Sequence, residues 1–204
     1  WALIMCGIAA CSLVSCKASS INWLNDALCA LHHRGPDDNG VYLDNESGIG
    51  LAHTRLSILD LSPLGHQPML SSCGRVALVF NGEIYNFREL RSELEAAGRN
   101  FRSTSDTEVL LELYLNLRDQ FSAKPDSCAI GAMLRRLNGI FAFALWDKDY
   151  QSMLAVRDAL GVKPLYVQQS ENHLFLASEF KAFPDATITL DHASLDRYLT
   201  CLLY

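Results

Sequence analysis

The fold is decided by residues 140–178, which contain three runs of branched and aromatic residues: "IFAFALW" at 140–146, "SMLAVR" at 152–157 and "HLFLAS" at 173–178. Short runs of this composition, bounded by polar and Gly/Pro-containing segments, predict β-strands. The connections in this part of the chain are too short for parallel crossovers, so we expect antiparallel pairing. Strands therefore dominate the second half of the sequence.

The first half of the chain adds further strands and three helices. Strands are predicted by "CGIAAC" at 6–11, "IGLAHTRLSIL" at 49–59 and "RVALVF" at 75–80; helices by "SSINWLNDALCALHHR" at 19–34, "FRELRSELEAAG" at 87–98 and "SDTEVLLELYLNL" at 105–117. Gly98 is expected to end the second helix, and Ser105 with Glu108 matches a capping box for the third. The stretch "RGPDDNG" at 34–40 predicts a turn. The pattern as a whole predicts an α+β fold of two packed antiparallel sheets with helices outside.

Composition excludes several classes of function. The chain has 204 residues, half of them hydrophobic and a fifth charged, with a net charge of -6. This is typical of a globular protein without a basic surface for nucleic acid. No apolar run approaches the ~20 residues that span a bilayer. The seven cysteines are odd in number and form no C-x-x-C pair, which argues against disulfides or zinc and favours a cytoplasmic location.

The two ends of the sequence suggest a domain cut from a longer protein. In the opening "WALIMC", Cys6 has two interpretations. It is an internal residue of the chain as written, or it is the first residue of a processed chain in which Met5 is the initiator and is removed. We expect residues 1–5 to be absent from the working protein, with Met5 as the initiator or with a short propeptide removed. Residues 6–190 are then one domain. Residues 191–204, "DHASLDRYLTCLLY", form an amphipathic pattern that stops on apolar residues and predicts the start of a linker or a following domain.

Six stretches carry a specific family resemblance. They are "MCGIAA" at 5–10, "HHRGPDDNG" at 32–40, "AHTRLSILDLSPLGHQPM" at 52–69, "VFNGEIYNFRELR" at 79–91, "STSDTEVLLELY" at 103–114 and "LNGIFAFALWDKDYQSMLAVRDALGVKPLYV" at 137–167. In this order they closely resemble the glutaminase domain of glutamine-hydrolysing asparagine synthetases, class II glutamine amidotransferases with an N-terminal cysteine nucleophile. The motifs "RGPD" and "HTRLSILDLS" differ from the corresponding motifs of glucosamine-fructose-phosphate transaminases and amidophosphoribosyltransferases, and they resemble those of asparagine synthetases. The resemblance implies a four-layer αββα sandwich of the N-terminal-nucleophile hydrolase type.

The resemblance also implies an activity. Such domains hydrolyse L-glutamine to L-glutamate and ammonia, and the ammonia goes to a C-terminal ATP-dependent synthetase domain that makes L-asparagine from L-aspartate. The expected partners are therefore L-glutamine and that synthetase domain, with homodimer formation left open and with nucleic acid and membranes excluded. The "SGG" motif with which asparagine synthetases hold ATP is not in this sequence. We therefore expect no cofactor or metal in this chain, and ATP and Mg only for the synthetase domain.

Cys6 is the predicted nucleophile. A thiol near its free pKa of ~8.5 needs a base, and an N-terminal cysteine has one in its own α-amine, whose reference pKa is ~7.7–8.0. The alternative is a Cys-His pair, but none of the histidines lies in a recognisable catalytic signature. They are His32, His33, His53, His66, His173 and His192.

Asn81 and Gly82 are the predicted oxyanion donors. By resemblance, the Asn81 side-chain amide and the Gly82 N–H stabilise the negative oxygen of the tetrahedral intermediate. Glycine at position 82 would let the substrate approach the main chain. The alternative interpretation is a tight turn, because Asn-Gly pairs are strong hairpin signals.

The remaining site residues are assigned to binding of glutamine. Arg55 suits the substrate carboxylate, and Glu83 and Asp106 suit its ammonium group. Their structural alternatives are a charge at a sheet edge for Arg55, solvated surface for Glu83 and a helix cap for Asp106. By resemblance, the pocket is lined further by Leu56, Ser57, Ile58 and Leu59. For Arg34 and Asp37, support of the neighbouring loop and direct contact are equally open.

Two other functions remain open at this point. The chain is an inactive glutamine-binding module if residues 1–5 stay attached, because Cys6 then lacks a free amine. It is an amidotransferase for another acceptor if a different domain follows.

Overall fold

The computed structural model of the chain describes residues 5–13, 17–57, 63–121, 123–184 and 191–201. In these ranges the strands are β1 Gly7–Leu13, β2 Asp38–Asp44, β3 Ile49–Arg55, β4 Met69–Leu70, β5 Val76–Ile84, β6 Gly139–Asp147, β7 Ser152–Arg157, β8 Tyr166–Gln169 and β9 His173–Ala177. The α-helices are α1 Lys17–Leu31, α2 Phe87–Ala96, α3 Asp106–Asp119, α4 Ser127–Leu134 and α5 His192–Cys201. Short 3₁₀ turns cover His32–Arg34, Pro63–Gly65 and Phe180–Ala182.

The strands form two sheets. The first has the order β2-β3-β1-β9-β8, and the second has the order β4-β5-β6-β7. Neighbouring strands in the described ranges are antiparallel throughout. The predicted antiparallel pairing is therefore confirmed.

The two sheets pack face to face with helices on both outer surfaces. Along β1, Ile8 and Ala10 face the second sheet and pack with Val79 of β5, whereas Ala9 and Cys11 face outward and pack beneath α1. This follows from the two-residue period of a strand. The outward side chains of β5 and β6 pack under α2, α3 and α4 in a separate apolar cluster. The layers thus run helix, sheet, sheet, helices, which confirms the expected αββα sandwich.

Strand register decides where the chemically interesting residues meet. β1 lies between β3 and β9, and Gly7 stands opposite Thr54, whose hydroxyl accepts the Gly7 N–H at 3.1 Å. Cys6, directly before β1, is therefore held beside the end of β3. In the second sheet, residues 81–83 lie near the end of β5, opposite β6.

The predicted secondary structure differs from the observed one at residues 34–40 and in two missed strands. The turn expected over residues 34–40 gives way to β2 at Asp38, because Asp38 and Gly40 pair with Arg55 and His53 of β3. Strands β4 and β8 were not predicted, since the first has two residues and the second is mostly exposed. The predicted end of α2 is confirmed, with Gly98 following it at φ +88°.

The start of α3 departs from the capping box. Ser105 caps the helix, but its hydroxyl accepts the N–H of Thr107 at 3.1 Å. The Glu108 carboxylate accepts the backbone N–H groups of Arg102 and Ser103 instead of the Ser105 N–H. The Ser105 N–H donates to the Ser103 hydroxyl. The predicted N-cap is thus correct and the reciprocal bond of the box is wrong.

Candidate active site

One cleft collects most of the predicted site residues. It opens where the end of β5 and the start of α3 face the segment around Cys6 and the end of β3. The predicted residues on its walls are Cys6, Arg55, Leu56, Asn81, Gly82, Glu83 and Asp106. Ser57 is not among the residues on the cleft wall, and its role in lining the pocket stays a prediction. Ile58 and Leu59 lie outside the described residues.

The Cys6 thiol is held against the backbone of Leu56. The Leu56 N–H donates to Sγ at 3.3 Å, and the thiol lies 3.7 Å from the Leu56 carbonyl oxygen. Burial raises the pKa of the Cys6 thiol, while the Leu56 hydrogen bond and the charges of Arg55 and Lys163 lower it. Since the burial effect is larger, the thiol needs a base to become a nucleophile at neutral pH.

Arg34 and Asp37 support the site from behind. Arg34 is 7% exposed; its Nε donates to the Cys6 carbonyl oxygen at 3.0 Å and its Nη1 to Glu179 Oε1 at 2.8 Å. Asp37 accepts the Ser57 N–H at 2.8 Å. Neither residue lines the cleft. Of the two roles that the sequence left open, loop support and direct contact with the substrate, the hydrogen bonds of Arg34 and Asp37 favour loop support.

Asn81 and Gly82 lie inside β5 and not in a turn, which rules out the hairpin interpretation of this dipeptide. Asn81 is 1% exposed, and its Nδ2 has no hydrogen-bond partner within the described part of the chain. Buried polar groups are nearly always paired, so an orphan amide in a cleft wall is a candidate donor to a ligand.

Glycine is required at position 82 for a reason that the sequence did not reveal. A Cβ there would lie 2.3 Å from the Ile140 carbonyl oxygen and 2.6 Å from the Cα of Phe141. The close approach of β6 therefore excludes a side chain, and access for the substrate is not needed to explain the glycine.

Arg55, Glu83 and Asp106 bring both signs of charge to the cleft. Arg55 is 8% exposed on β3, which is an interior strand, so its interpretation as a sheet-edge charge is wrong. Asp106 accepts the Ile84 N–H at 3.0 Å. Burial raises the pKa of Asp106 to about 6, and the charge of Glu83 acts in the same direction. One guanidinium and two carboxylates are the complement of a zwitterionic amino acid.

The histidines of the described chain do not line this cleft. His53 is fully buried, and its Nε2 donates to the Phe80 carbonyl oxygen at 3.1 Å, which ties β3 to β5. Burial lowers the pKa of His53 to about 3, so it stays neutral. His33 and His66 are exposed and pair with Glu179 and Asp38. The geometry therefore gives no support to a Cys-His pair.

The cleft wall also includes residues to which the sequence-based prediction gave no role in the site, among them Gln67, Lys163 and Met5. Gln67 accepts the Phe80 N–H at 2.6 Å and donates to the Thr107 hydroxyl at 3.3 Å, which fastens its loop to β5 and α3. Lys163 and Met5 also line the cleft and contact each other. Gln67 and Lys163 each precede a proline within the quoted motifs, but spacing alone gives no reason to place either beside Cys6.

In the ranges that the structure describes, no group of three or more His, Cys, Asp or Glu side chains is placed to hold a metal ion. Within the same ranges, no helix is both long and apolar enough to cross a bilayer.

Comparison with known proteins gives a consistent result. Residues 5–204 match a family described as "Glutamine amidotransferase domain". The chain is 38% identical to asparagine synthetase [glutamine-hydrolyzing] 1 of Bacillus subtilis over 170 residues, which cover 82% of this chain and 24% of the relative. It is 37% identical to an amidase of Gibberella zeae over 160 residues, covering 78% of this chain and 22% of that protein. The chain thus spans about a quarter of the length of these relatives.

A solved structure shares the fold. The glutamine phosphoribosylpyrophosphate amidotransferase of B. subtilis superimposes with a TM-score of 0.68 and 23% sequence identity, covering 87% of this chain and 42% of that one. This likeness agrees with the sandwich described above and with the expected fold class.

Proposed function

This chain belongs to the glutamine amidotransferase domain family, and on that premise we propose that it hydrolyses L-glutamine to L-glutamate and ammonia with Cys6 as nucleophile. The observation that carries the proposal is the buried, unpartnered Nδ2 of Asn81 in the cleft that also holds the Cys6 thiol. A nucleophile and a preorganised donor in one cleft are the elements that acyl transfer requires.

The base in this proposal is the α-amine of Cys6. The amine takes the thiol proton as Sγ attacks the amide carbon, and then gives it to the leaving nitrogen, so that ammonia departs and a thioester remains. Water, deprotonated by the same amine, then attacks the thioester and releases glutamate and the thiol. A peptide nitrogen has no basic lone pair, so this route needs a chain that begins at Cys6. The position of Met5 on the cleft wall supports the same requirement, since Met5 would stand beside the reacting amide.

The negative charge of each tetrahedral intermediate falls on the former carbonyl oxygen. We assign its stabilisation to the Asn81 Nδ2 and the Gly82 N–H. Because Asn81 is fixed in β5 and already desolvated, it needs no reorganisation during the reaction.

Glutamine is held by its amino-acid end. Arg55 binds the carboxylate with two parallel hydrogen bonds, and Asp106 with Glu83 binds the ammonium group. The ammonium group of bound glutamine also favours the charged form of Asp106, which burial disfavours in the free protein.

The ammonia is supplied, in our proposal, to a C-terminal ATP-dependent synthetase domain that makes L-asparagine from L-aspartate. The similarity to the B. subtilis asparagine synthetase supports this acceptor, and the much greater length of that relative supports a further domain. ATP and Mg are then used in that domain and not in this chain. The five free cysteines of the described residues fit a cytoplasmic location.

A second acceptor deserves a test because one similar protein is called an amidase. In that alternative, glutamine hydrolysis is unchanged and the following domain amidates another substrate. Incubating the full-length protein with glutamine, ATP, Mg and aspartate distinguishes the two, since asparagine forms only in the first.

The proposed hydrolysis is tested on a chain that starts at Cys6, with the terminus verified by mass spectrometry. We expect glutamate and ammonia to form in equal amounts without ATP or Mg, and Cys6→Ala to abolish both. Cys29→Ala, which changes an exposed cysteine on α1, is the matched control and keeps full activity. Tight glutamine binding by calorimetry without turnover would instead identify a binding module.

A further inference from the structure

Lys163 is a buried cation on the wall of the candidate active site. Only 7% of the residue is exposed, and its Nζ contacts the Sδ of Met5, the residue bonded to the Cys6 nitrogen. Lysine is rarely buried to this extent without a paired carboxylate. Among the described residues, no carboxylate lies within ion-pair distance of the Lys163 ammonium.

The loop that carries Lys163 is fixed by one carboxylate. Asp158, directly after β7, accepts the backbone N–H groups of Leu160, Val162 and Lys163 at 3.1, 3.0 and 3.0 Å. The Lys163 carbonyl oxygen accepts a hydrogen bond from Arg157 Nε at 2.9 Å. The backbone of Lys163 is therefore anchored on both sides, and its side chain is presented to the cleft from a rigid turn.

We propose that Lys163 is a positioning residue that acts through Cys6: its ammonium lies beside the place of the Cys6 α-amine and holds that amine in the neutral form that accepts the thiol proton. This inference rests on the proposed function, because it assumes that Cys6 is the first residue. It assigns a task to a cation that glutamine binding does not require, since Arg55 already serves the carboxylate.

The electrostatic argument concerns two like charges. A cation within ~4–6 Å disfavours a second positive charge and lowers the pKa of the amine. With a reference pKa of ~7.7–8.0, only about one α-amine in six to eleven is neutral at pH 7, and a fall of about one pKa unit makes roughly half to two thirds of them neutral. A neutral amine is the form that removes the thiol proton. The same cation favours the thiolate, as the lowering effect of Lys163 on the pKa of Cys6 indicates.

Two other cations, Arg55 and Arg34, lie near Cys6. Arg55 has the same sign and lies on the thiol side, and Arg34 reaches the Cys6 carbonyl from behind. Burial lowers the pKa of Lys163, and the charge of Glu83 acts in the opposite direction. Glu83 and Asp106 are occupied by the substrate ammonium in the proposed complex. Lys163 is the cation that contacts Met5, the residue bonded to the Cys6 nitrogen.

The first test is the pH profile of kcat/KM for glutamine hydrolysis in chains that start at Cys6. In Lys163→Met, which keeps an apolar stem of similar length, the acid limb is expected to move up by about one pH unit. The variant then loses about tenfold in kcat/KM near pH 6 and approaches the wild type above pH 9. Lys163→Arg, which keeps the charge, restores the wild-type profile. Lys124→Met changes an exposed lysine and leaves the profile in place.

The second test does not depend on glutamine. In a Cys6→Ala background, the pH dependence of amine acetylation by acetic anhydride, read by mass spectrometry on the N-terminal peptide, gives the pKa of the α-amine. We expect this pKa to rise by about one unit when Lys163→Met is added. An unchanged amine pKa would overturn the inference, as would an equal loss of activity at every pH or a Lys163→Arg variant that behaves like Lys163→Met. If the wild-type chain does not hydrolyse glutamine while the amine pKa still shifts, the proposed function fails and the role of Lys163 stands.

Discussion

The two walls of the candidate active site differ in how the protein partners the two groups to which we assign chemistry, the Cys6 thiol and the Asn81 amide. On the wall of the first sheet, the Cys6 thiol is bonded to Leu56 and the Cys6 carbonyl to Arg34. On the wall of the second sheet, the Asn81 Nδ2 has no partner in the described chain, and Asp106 has a pKa raised by burial. In our proposal the first wall therefore fixes the nucleophile and, through Arg55, binds the substrate carboxylate, whereas the second wall carries the donor that acts on the transition state.

The largest effect is expected where the second wall meets the transition state. Asn81→Ala should lower kcat by about 10²–10³-fold with little change in KM, because the oxyanion exists only after attack. Steady-state kinetics with glutamine measure both constants. Asn45→Ala, on the surface turn after β2, is the control and should leave them unchanged. A rise in KM at constant kcat would assign Asn81 to ground-state binding and break the contrast between the walls.

A smaller effect is expected for the guanidinium on the first wall. Arg55→Ala should raise KM for glutamine by roughly 10- to 100-fold and lower kcat far less. The reason is that the substrate carboxylate is held equally in the ground state and the transition state. Arg75→Ala, which breaks an exposed pair with Asp149, is the matched control. Equal losses in kcat for the Arg55 and Asn81 variants would contradict this division of roles.

The smallest effect is expected for Asp106, where substitution should change the thermal stability of the protein and the binding of glutamine in different ways. The folded-state pKa of about 6 lies above the ordinary aspartate pKa of 3.8, so ionisation in the fold is disfavoured, and stability from this group falls as the pH rises from about 4 through 6. Asp106→Asn removes that cost and should raise Tm by roughly 2–4 °C at pH 7.5, while it raises KM for glutamine. Near pH 4 the gain in Tm should vanish. A loss of Tm at pH 7.5, measured by calorimetry, would mean that the carboxylate stabilises the fold.

The sheets were predictable from sequence because strands that are buried on both faces appear as nearly continuous apolar runs. The runs in β1, β5 and β6 are long, apolar and bounded by turn residues, so their type and antiparallel pairing follow from local pattern. Strand β2 was missed because its partner decides it: Asp38, Asn39 and Gly40 favour a turn locally, and pairing with β3 overrides that preference. Strand β8 was missed for a similar reason: most of its residues are exposed, and as an edge strand it pairs with one neighbour only.

The site was predictable in its membership and not in its geometry. The resemblance supplied Cys6, Asn81 and Arg55, and the structure brings them to one cleft. The reason for Gly82, a clash with the β6 backbone, depends on a contact between distant segments. The position of Lys163 depends equally on the loop that Asp158 fixes, and no spacing in the sequence reports it.

The central claim is that Cys6 acts with its own free amine, and one pair of proteins tests it most directly. One chain begins at Cys6; the other retains residues 1–5 with the junction between Met5 and Cys6 made resistant to processing, and mass spectrometry verifies both termini. The account predicts glutaminase activity in the first and a loss of about 10²–10⁴-fold in the second, the usual contribution of general acid-base catalysis. Full activity in a chain proven to retain Trp1 would contradict the claim, because the Cys6 nitrogen would then be an amide.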